Sequence, residues 1–188
     1  MILGIVGMTA TGKTEIVKTL INKFGIKKIV TTTTRPQRLG EIPGFDYNFI
    51  SDEEFENKKS NNYFFETTQY NTVSGIWKYG TPFNELKKDG AIILNPDGLR
   101  KIREANIDCF IVHIKTPENI IRERLENRGD FIDEVNRRIE TDKIDFANID
   151  NLVDYEIIND GLKSIDCISH IIYDLYIKNS PKNTMNNI

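Results

Sequence analysis

The apolar run MILGIV leads without a break into GMTATGKT (residues 7–14), and an amphipathic segment follows. No other feature restricts the chain so strongly. MILGIV does not alternate apolar with polar, so a strand built from it needs cover on both faces, as in a parallel sheet flanked by helices. Ile16, Val17, Leu20, Ile21 and Phe24 then recur at helical spacing over 14–24, with Gly25 as a stop. Between strand and helix stand two glycines five apart, followed by Lys13 and Thr14. This is the pattern G-x-x-x-x-G-K-[ST] of a phosphate-binding loop. At average residue frequencies it arises by chance in roughly 1 % of chains this long, and the strand–loop–helix context reduces that further.

The chemistry explains the residue types. Gly7 and Gly12 let the backbone fold so that the N–H groups of Thr9, Ala10 and Thr11 point at phosphate oxygens. The helix that starts at the loop adds its N-terminal partial positive charge. Lys13 reaches the β and γ phosphates, and the Thr14 hydroxyl binds Mg²⁺. The expected ligand is therefore a nucleoside triphosphate with Mg²⁺.

Further along, 91–94, 108–114 and 155–158 read as buried strands, and 99–104, 116–127, 134–146 and 162–177 as helices, with Thr116 as a cap and Pro117 in the first turn. Alternating strands and helices argue for an α/β fold with a mainly parallel sheet. The segment 31–82 differs: it is rich in Thr, Asn, Phe and Tyr, with turn residues at Gly40, Pro43 and Gly44, and reads as an inserted lobe. A strand over 28–33 and short helices over 52–58 and 82–88 are expected around it. The polar tail is expected to fray.

The 188 residues suit one domain, and a net charge of −3 gives no bulk signal for nucleic acid or membrane. Cys109 and Cys167, in apolar segments, read as two reduced core thiols, and His113 and His170 as core or boundary residues. No zinc constellation is visible. MILGIVGM lacks the basic flank and length of a secretory signal, and no run approaches the roughly 20 apolar residues of a membrane span, so a cytoplasmic location is expected.

Arg35 and Arg38 stand three apart after a β-branched run, in TTTTRPQRLGE. Such a pair forks a second phosphate or simply decorates a solvated loop. The segment in full resembles the nucleotide-acceptor lobe of guanylate kinases. That family carries T-T-R-x-P-R-x-G-E, G-x-D-Y-x-F-x-S-x-E-E-F, F-x-E and Y-G-T-P in order after an N-terminal phosphate loop. The sequence matches with TTRPQRLGE, GFDYNFISDEEF, FFE and KYGTP. The resemblance covers residues 1–160.

It implies the P-loop NTPase three-layer fold, with a core of residues 1–30, 83–126 and 146–180, an acceptor-nucleotide lobe over 31–82, a helical lid over 127–145 and a frayed tail over 181–188. It also implies an acceptor. Arg35, Arg38, Thr31, Tyr47 and Tyr79 would hold the phosphate of GMP. Glu66 and Thr81 would contact the guanine edge, and Asp97 would be a second acidic contact to the base. A carboxylate suits guanine because N1–H and the exocyclic amine are adjacent donors. Arg128 and Arg138 would close over the triphosphate from the lid, with Arg137 a less favoured partner and Arg122 and Arg124 ordinary surface residues. Asn159 would lie by the adenine. Lys13, Arg38, Arg128 and Arg138 would be the catalytic cations, in a monomer or homodimer.

Several features depart from the family, among them a lid one residue shorter. The proline of the arginine motif is moved one place. The stretch 66–79, with the lone Trp77, is longer. The motif D-x-D-x-x-G is present as Asn95-Pro96-Asp97-Gly98-Leu99-Arg100. A related monophosphate kinase of different base preference, and a non-catalytic guanylate kinase-like binding module, are the alternatives.

Overall fold

The computed structural model describes residues 1–72 and 75–181; the expected fraying of residues 182–188 lies outside them. The chain divides into two compact units, one of residues 1–27 and 91–188 and one of residues 28–90.

The first unit is a four-stranded parallel sheet between helices. Along the chain it opens with β1 (Ile2–Val6) and helix α1 (Lys13–Phe24). The strand order is β6-β1-β7-β8, with β6 at Ala91–Ile93, β7 at Cys109–Lys115 and β8 at Tyr155–Ile158. All three pairings are parallel. Every residue of β1 is buried, as its unbroken apolar run requires. Leu3, Ile5, Val112 and Ile114 pack on Ile16, Val17 and Leu20 of α1 and on Ile168, Ile172 and Tyr176 of α6 (Ile165–Asn179). Helices α3 (Pro96–Glu104), α4 (Glu118–Glu126) and α5 (Ile132–Asp145) complete the unit. A separate cluster joins Ile121 and Leu125 of α4, Val135 and Ile139 of α5, and Met8 and Ala10 of the glycine-rich loop.

The second unit holds a mixed sheet of order β3-β2-β5-β4. Here β2 is Thr32–Thr33, β3 Asn48–Phe49, β4 Phe64–Thr72 and β5 Gly75–Pro82. β4 and β5 pair antiparallel along their length, so residues 66–72 and 75–79 of the extended stretch are ladder, with Trp77 opposite Tyr70. Helix α2 (Asp52–Ser60) is capped by Ser51, whose hydroxyl accepts from the Glu54 N–H, and buries Phe55 against the Phe64 ring at 4.6 Å. A Cβ at Gly80 would stand 2.7 Å from that ring.

Several local expectations change. Residues 28–31 fall outside β2, which belongs to the second sheet rather than the core. The 82–88 helix is one 3₁₀ turn at Glu85–Lys87, because β5 runs through Pro82. Helix α3 begins at Pro96, three residues before the expected 99: Asn95 is the cap, its Oδ1 accepting from the Gly98 N–H at 2.6 Å. A cap needs only an acceptor oxygen, which Asn supplies as well as Asp. Thr116 does not cap α4; its hydroxyl donates to the Asn159 carbonyl at 3.0 Å. Helix α6 begins three residues later than 162, capped by Ser164. Cys109 is buried but Cys167 is exposed. His170 is exposed too, its ring lying edge-on against Phe24 at the outer margin of α1 and α6. Helical spacing gave these two residues apolar neighbours in sequence, but the solvent side of α6 in space.

Candidate active site

The glycine-rich loop follows the C-terminal end of β1, where ligands of open α/β sheets bind. Two of its glycines are required by crowding. A Cβ on Gly7 would lie 2.5 Å from the Ile114 carbonyl oxygen, and one on Gly12 2.7 Å from Asn159 Nδ2, with Gly12 at φ +92°. Lys13 folds back over the loop, its Nζ donating to the carbonyls of Gly7 at 2.7 Å and Met8 at 2.6 Å. Removal from water lowers the Lys13 pKa to about 8; Asp142 works against this shift and Arg128 adds to it. Thr11 is buried and donates to the Met8 carbonyl at 2.9 Å, and Thr14 is exposed at the start of α1.

Asn159 is 2 % exposed, and its Nδ2 donates to the Thr11 carbonyl at 2.8 Å. The residue after β8 therefore braces the phosphate loop. Arg124 joins the same arrangement, its Nη1 donating to the Ala10 carbonyl at 3.1 Å and its Nη2 to Asn159 Oδ1 at 3.4 Å. Reading Arg124 as an ordinary surface residue is therefore wrong. It follows Glu123 on α4 and precedes Leu125, which packs in the cluster with Met8 and Ala10 of the same loop.

Asp142 was not visible as a site residue either. Its carboxylate accepts from the Thr9 N–H at 2.5 Å. Burial raises its pKa, opposed by the Thr9 N–H and by Lys13. The only sequence signal for it was its position seven residues after Val135, on the same helical face.

Arg128 is exposed and has no side-chain partner among the described residues, while its charge is felt at Lys13 and Arg124. Arg138 is held by its own helix and the preceding turn, donating to Glu134 at 2.8 Å and Asp130 at 3.4 Å. Asp97 is exposed on α3 and paired with Arg100 at 3.0 Å.

In the second unit, Arg35 is 7 % exposed, and three contacts fix its guanidinium. It donates to Glu41 Oε1 at 2.6 Å and to the Pro36 carbonyl at 2.7 Å, and lies 5.5 Å from the Tyr47 ring centre. Glu41 also accepts the Arg38 N–H at 2.7 Å. Burial opposes the Glu41 charge, but Arg35 and the Arg38 N–H pull its carboxyl below the ordinary range. Glu41 thus organises the arginine turn, a role its place in LGE did not reveal. Arg38 is exposed. The Tyr47 and Tyr79 rings meet edge to face at 6.0 Å. Thr31, half-buried beside β2, accepts the Asn48 N–H through its carbonyl at 2.9 Å. Glu66 and Thr81 are buried neighbours on β4 and β5, and the Thr81 hydroxyl donates to Glu66 Oε1 at 2.6 Å. Arg35, Tyr47 and Tyr79 form one group in this unit, and Glu66 with Thr81 another.

One cluster lies elsewhere. His113, Asp150 and Glu156 bring ligand-type atoms within 4.8 Å of one another, although no spacing in the sequence suggested it. The Lys115 ammonium already occupies this cluster, 2.5 Å from Glu156 and 3.4 Å from Asp150. It is an ion-pair group on the β7–β8 edge.

A parallel sheet with this loop at the end of its first strand, and a lysine and threonine opening the next helix, defines a P-loop nucleotide-binding protein. The profile of the guanylate kinase family matches residues 2–172. A guanylate kinase of Symbiobacterium thermophilum is 34 % identical over 170 residues, spanning 86 % of this chain and 79 % of that protein. One from Lactobacillus acidophilus is 30 % identical, over 92 % of this chain and 87 % of its own. The crystal structure of guanylate kinase from Anaplasma phagocytophilum superposes with a TM-score of 0.71 at 22 % identity, over 96 % and 86 % of the two chains, and shows the shared fold. The chain belongs to the guanylate kinase family.

Proposed function

We propose that this protein transfers the γ-phosphoryl group of ATP to GMP, giving ADP and GDP, with dGMP as a second acceptor. The observation that carries the base assignment is the buried Glu66 carboxylate with Thr81 on it. A carboxylate held in that way presents an acceptor pair to the N1–H and amino group of guanine. Adenine lacks those adjacent donors.

Each residue then has a task. The N–H groups of the loop and Lys13 bind the phosphate chain of ATP. Arg35, clamped by Glu41, Arg38, Thr31, Tyr47 and Tyr79 bind the phosphate of GMP. Asp97 is proposed as a further contact to the base. Phosphoryl transfer has a loose transition state whose charge needs neutralising and whose oxygens need alignment. The acceptor is already an anion, so no strong general base is required. Arg128 and Arg138, on the segment 127–145 proposed as a lid, add positive charge and exclude water, which would otherwise be phosphorylated.

The donor set fits Mg²⁺, which takes most of its ligands from water and phosphate oxygens and few from protein. The exposed Thr14 hydroxyl beside Lys13 would supply the protein oxygen. Bound there, the ion would neutralise charge between the β and γ phosphates. Asn95 is committed to the α3 cap, so it is not part of that set.

No helix among the described residues is long and apolar enough to cross a membrane. We place the enzyme in the cytoplasm, as a monomer or homodimer acting on small nucleotides rather than nucleic acid. ADP release measured against GMP, dGMP, AMP, UMP, CMP and dTMP tests the assignment. Turnover confined to the guanine nucleotides is expected; turnover with AMP would overturn the role of Glu66.

A further inference from the structure

The bond between Asp142 and Thr9 joins two groups that the phosphate-loop chemistry keeps apart. The Thr9 N–H belongs to the loop whose amides receive phosphate oxygens, and here its partner is a carboxylate from α5. The placement is built into the helix. Val135, Ile139 and Asp142 follow one another at i, i+4 and i+7, so they share a face. The first two are fully buried in the cluster that includes Met8 and Ala10, the residues on either side of Thr9. Apolar packing thus seats α5 on the loop, and the next residue along that face delivers an anion to an anion-binding amide. Lys13 from α1, and Arg138 and Asp145 from α5 itself, are the other charges acting on that carboxylate, and Asp142 in turn acts on Arg137. A carboxylate oxygen accepting from such an N–H is the chemical equivalent of a phosphate oxygen.

We propose that Asp142 is an internal competitor for the triphosphate seat, which the phosphates of ATP must displace from Thr9. The inference rests on the reading of residues 7–14 as the ATP site, and is independent of the acceptor base. Competition has two consequences. Asp142 lowers the affinity for ATP, and it stabilises the loop only while the phosphates are not bound to it.

Binding of the non-hydrolysable analogue adenylyl imidodiphosphate with Mg²⁺ should be measured by calorimetry for the full chain and for Asp142→Asn, Asp142→Ala and Asp142→Glu. Asn is nearly isosteric and keeps the fold. The Asn and Ala variants are expected to bind about tenfold more tightly, the scale of breaking one charge-assisted hydrogen bond, and Glu to restore wild-type affinity. The KM for ATP should fall in step, with kcat unchanged or reduced. Thermal midpoints should cross: the Asn variant melts below wild type without nucleotide and above it with saturating analogue. Unchanged or weaker binding by the Asn and Ala variants would overturn the proposal, since a merely structural contact gives no crossing. Failure of wild type and variants alike to bind the analogue would overturn the ATP site itself, and the competitor with it. Turnover with an acceptor other than GMP, alongside tighter binding in the variants, would discard only the guanine assignment.

Discussion

The side-chain amide of Asn159 donates to the carbonyl of Thr11 across 148 residues of sequence, at 2.8 Å. The end of β8 thereby holds the shape of the phosphate loop. Thr11 is 1 % exposed, so its carbonyl has no ready substitute partner in water. Asn159→Ala should destabilise the protein by about 1–3 kcal/mol, the cost of an unsatisfied buried acceptor. It should also weaken ATP binding while leaving the GMP KM nearly unchanged. Urea unfolding and the two KM values check this; equal losses for both nucleotides would contradict it.

Glu66→Gln replaces one of two acceptor oxygens by a donor that faces the guanine donors. The kcat/KM for GMP should fall about 10- to 100-fold, the span of one good bidentate pair. ATP-analogue affinity should stay within about twofold. Steady-state kinetics in GMP and a direct ATP titration separate the two.

Arg35→Lys keeps the charge and loses the fork. The ammonium cannot hold Glu41 and the Pro36 carbonyl while lying against the Tyr47 ring, as the guanidinium does. The GMP KM should rise at least about tenfold, against a smaller change in kcat. Arg38→Lys, at an exposed site, should be milder at the level of KM. A reversed ranking would assign the dominant phosphate contact to Arg38.

Glu134 gives a pH signature. Hydrogen bonds from Arg137 and then Arg138, working against a burial penalty, lower its pKa from 4.5 to about 2. A carboxylate depressed on folding stabilises the protein above its unfolded value and loses that effect as pH falls through the folded one. The stability difference between wild type and Glu134→Gln should therefore be complete above about pH 5 and shrink as pH falls from about 4.5 toward 2. Urea midpoints for both proteins across that range supply the check. A difference that persists at pH 2 would trace to packing rather than charge.

Gly80→Ala should destabilise the protein by about 1–3 kcal/mol through overpacking. The added Cβ falls 2.7 Å from the Phe64 ring, which is stacked on Phe55 and has little room to retreat. Chemical denaturation followed by Trp77 fluorescence reports on the second unit, where both residues lie. Relieving the clash with Phe64→Leu in the same background should recover part of the loss.

Much of this molecule was legible from local pattern. β1, the phosphate loop and α1 follow from one uninterrupted stretch, because strand burial, glycine freedom and helical period are all near-neighbour properties. The motif matches singled out Arg35, Tyr47, Tyr79, Glu66 and Thr81, and the structure groups Arg35 with the two tyrosines and Glu66 with Thr81. Short elements were less legible. The two-residue β2 is defined by its partners β3 and β5 rather than by its own composition, and the 82–88 segment continues the β4–β5 ladder before it turns.

What the sequence determined by itself was the strand, the glycine-rich loop and the helix after it, and the kind of fold that bears them, since these three are contiguous in the chain. Only the tertiary structure decided that Asn159 and Arg124 brace that loop, that Glu41 sets the arginine turn, and that Asp142 rests on the Thr9 amide. Polar residues of this kind carry no periodic signal. Their partners are backbone groups or charges brought near by packing of the apolar faces, and until those faces meet, nothing distinguishes them from residues on a solvated surface.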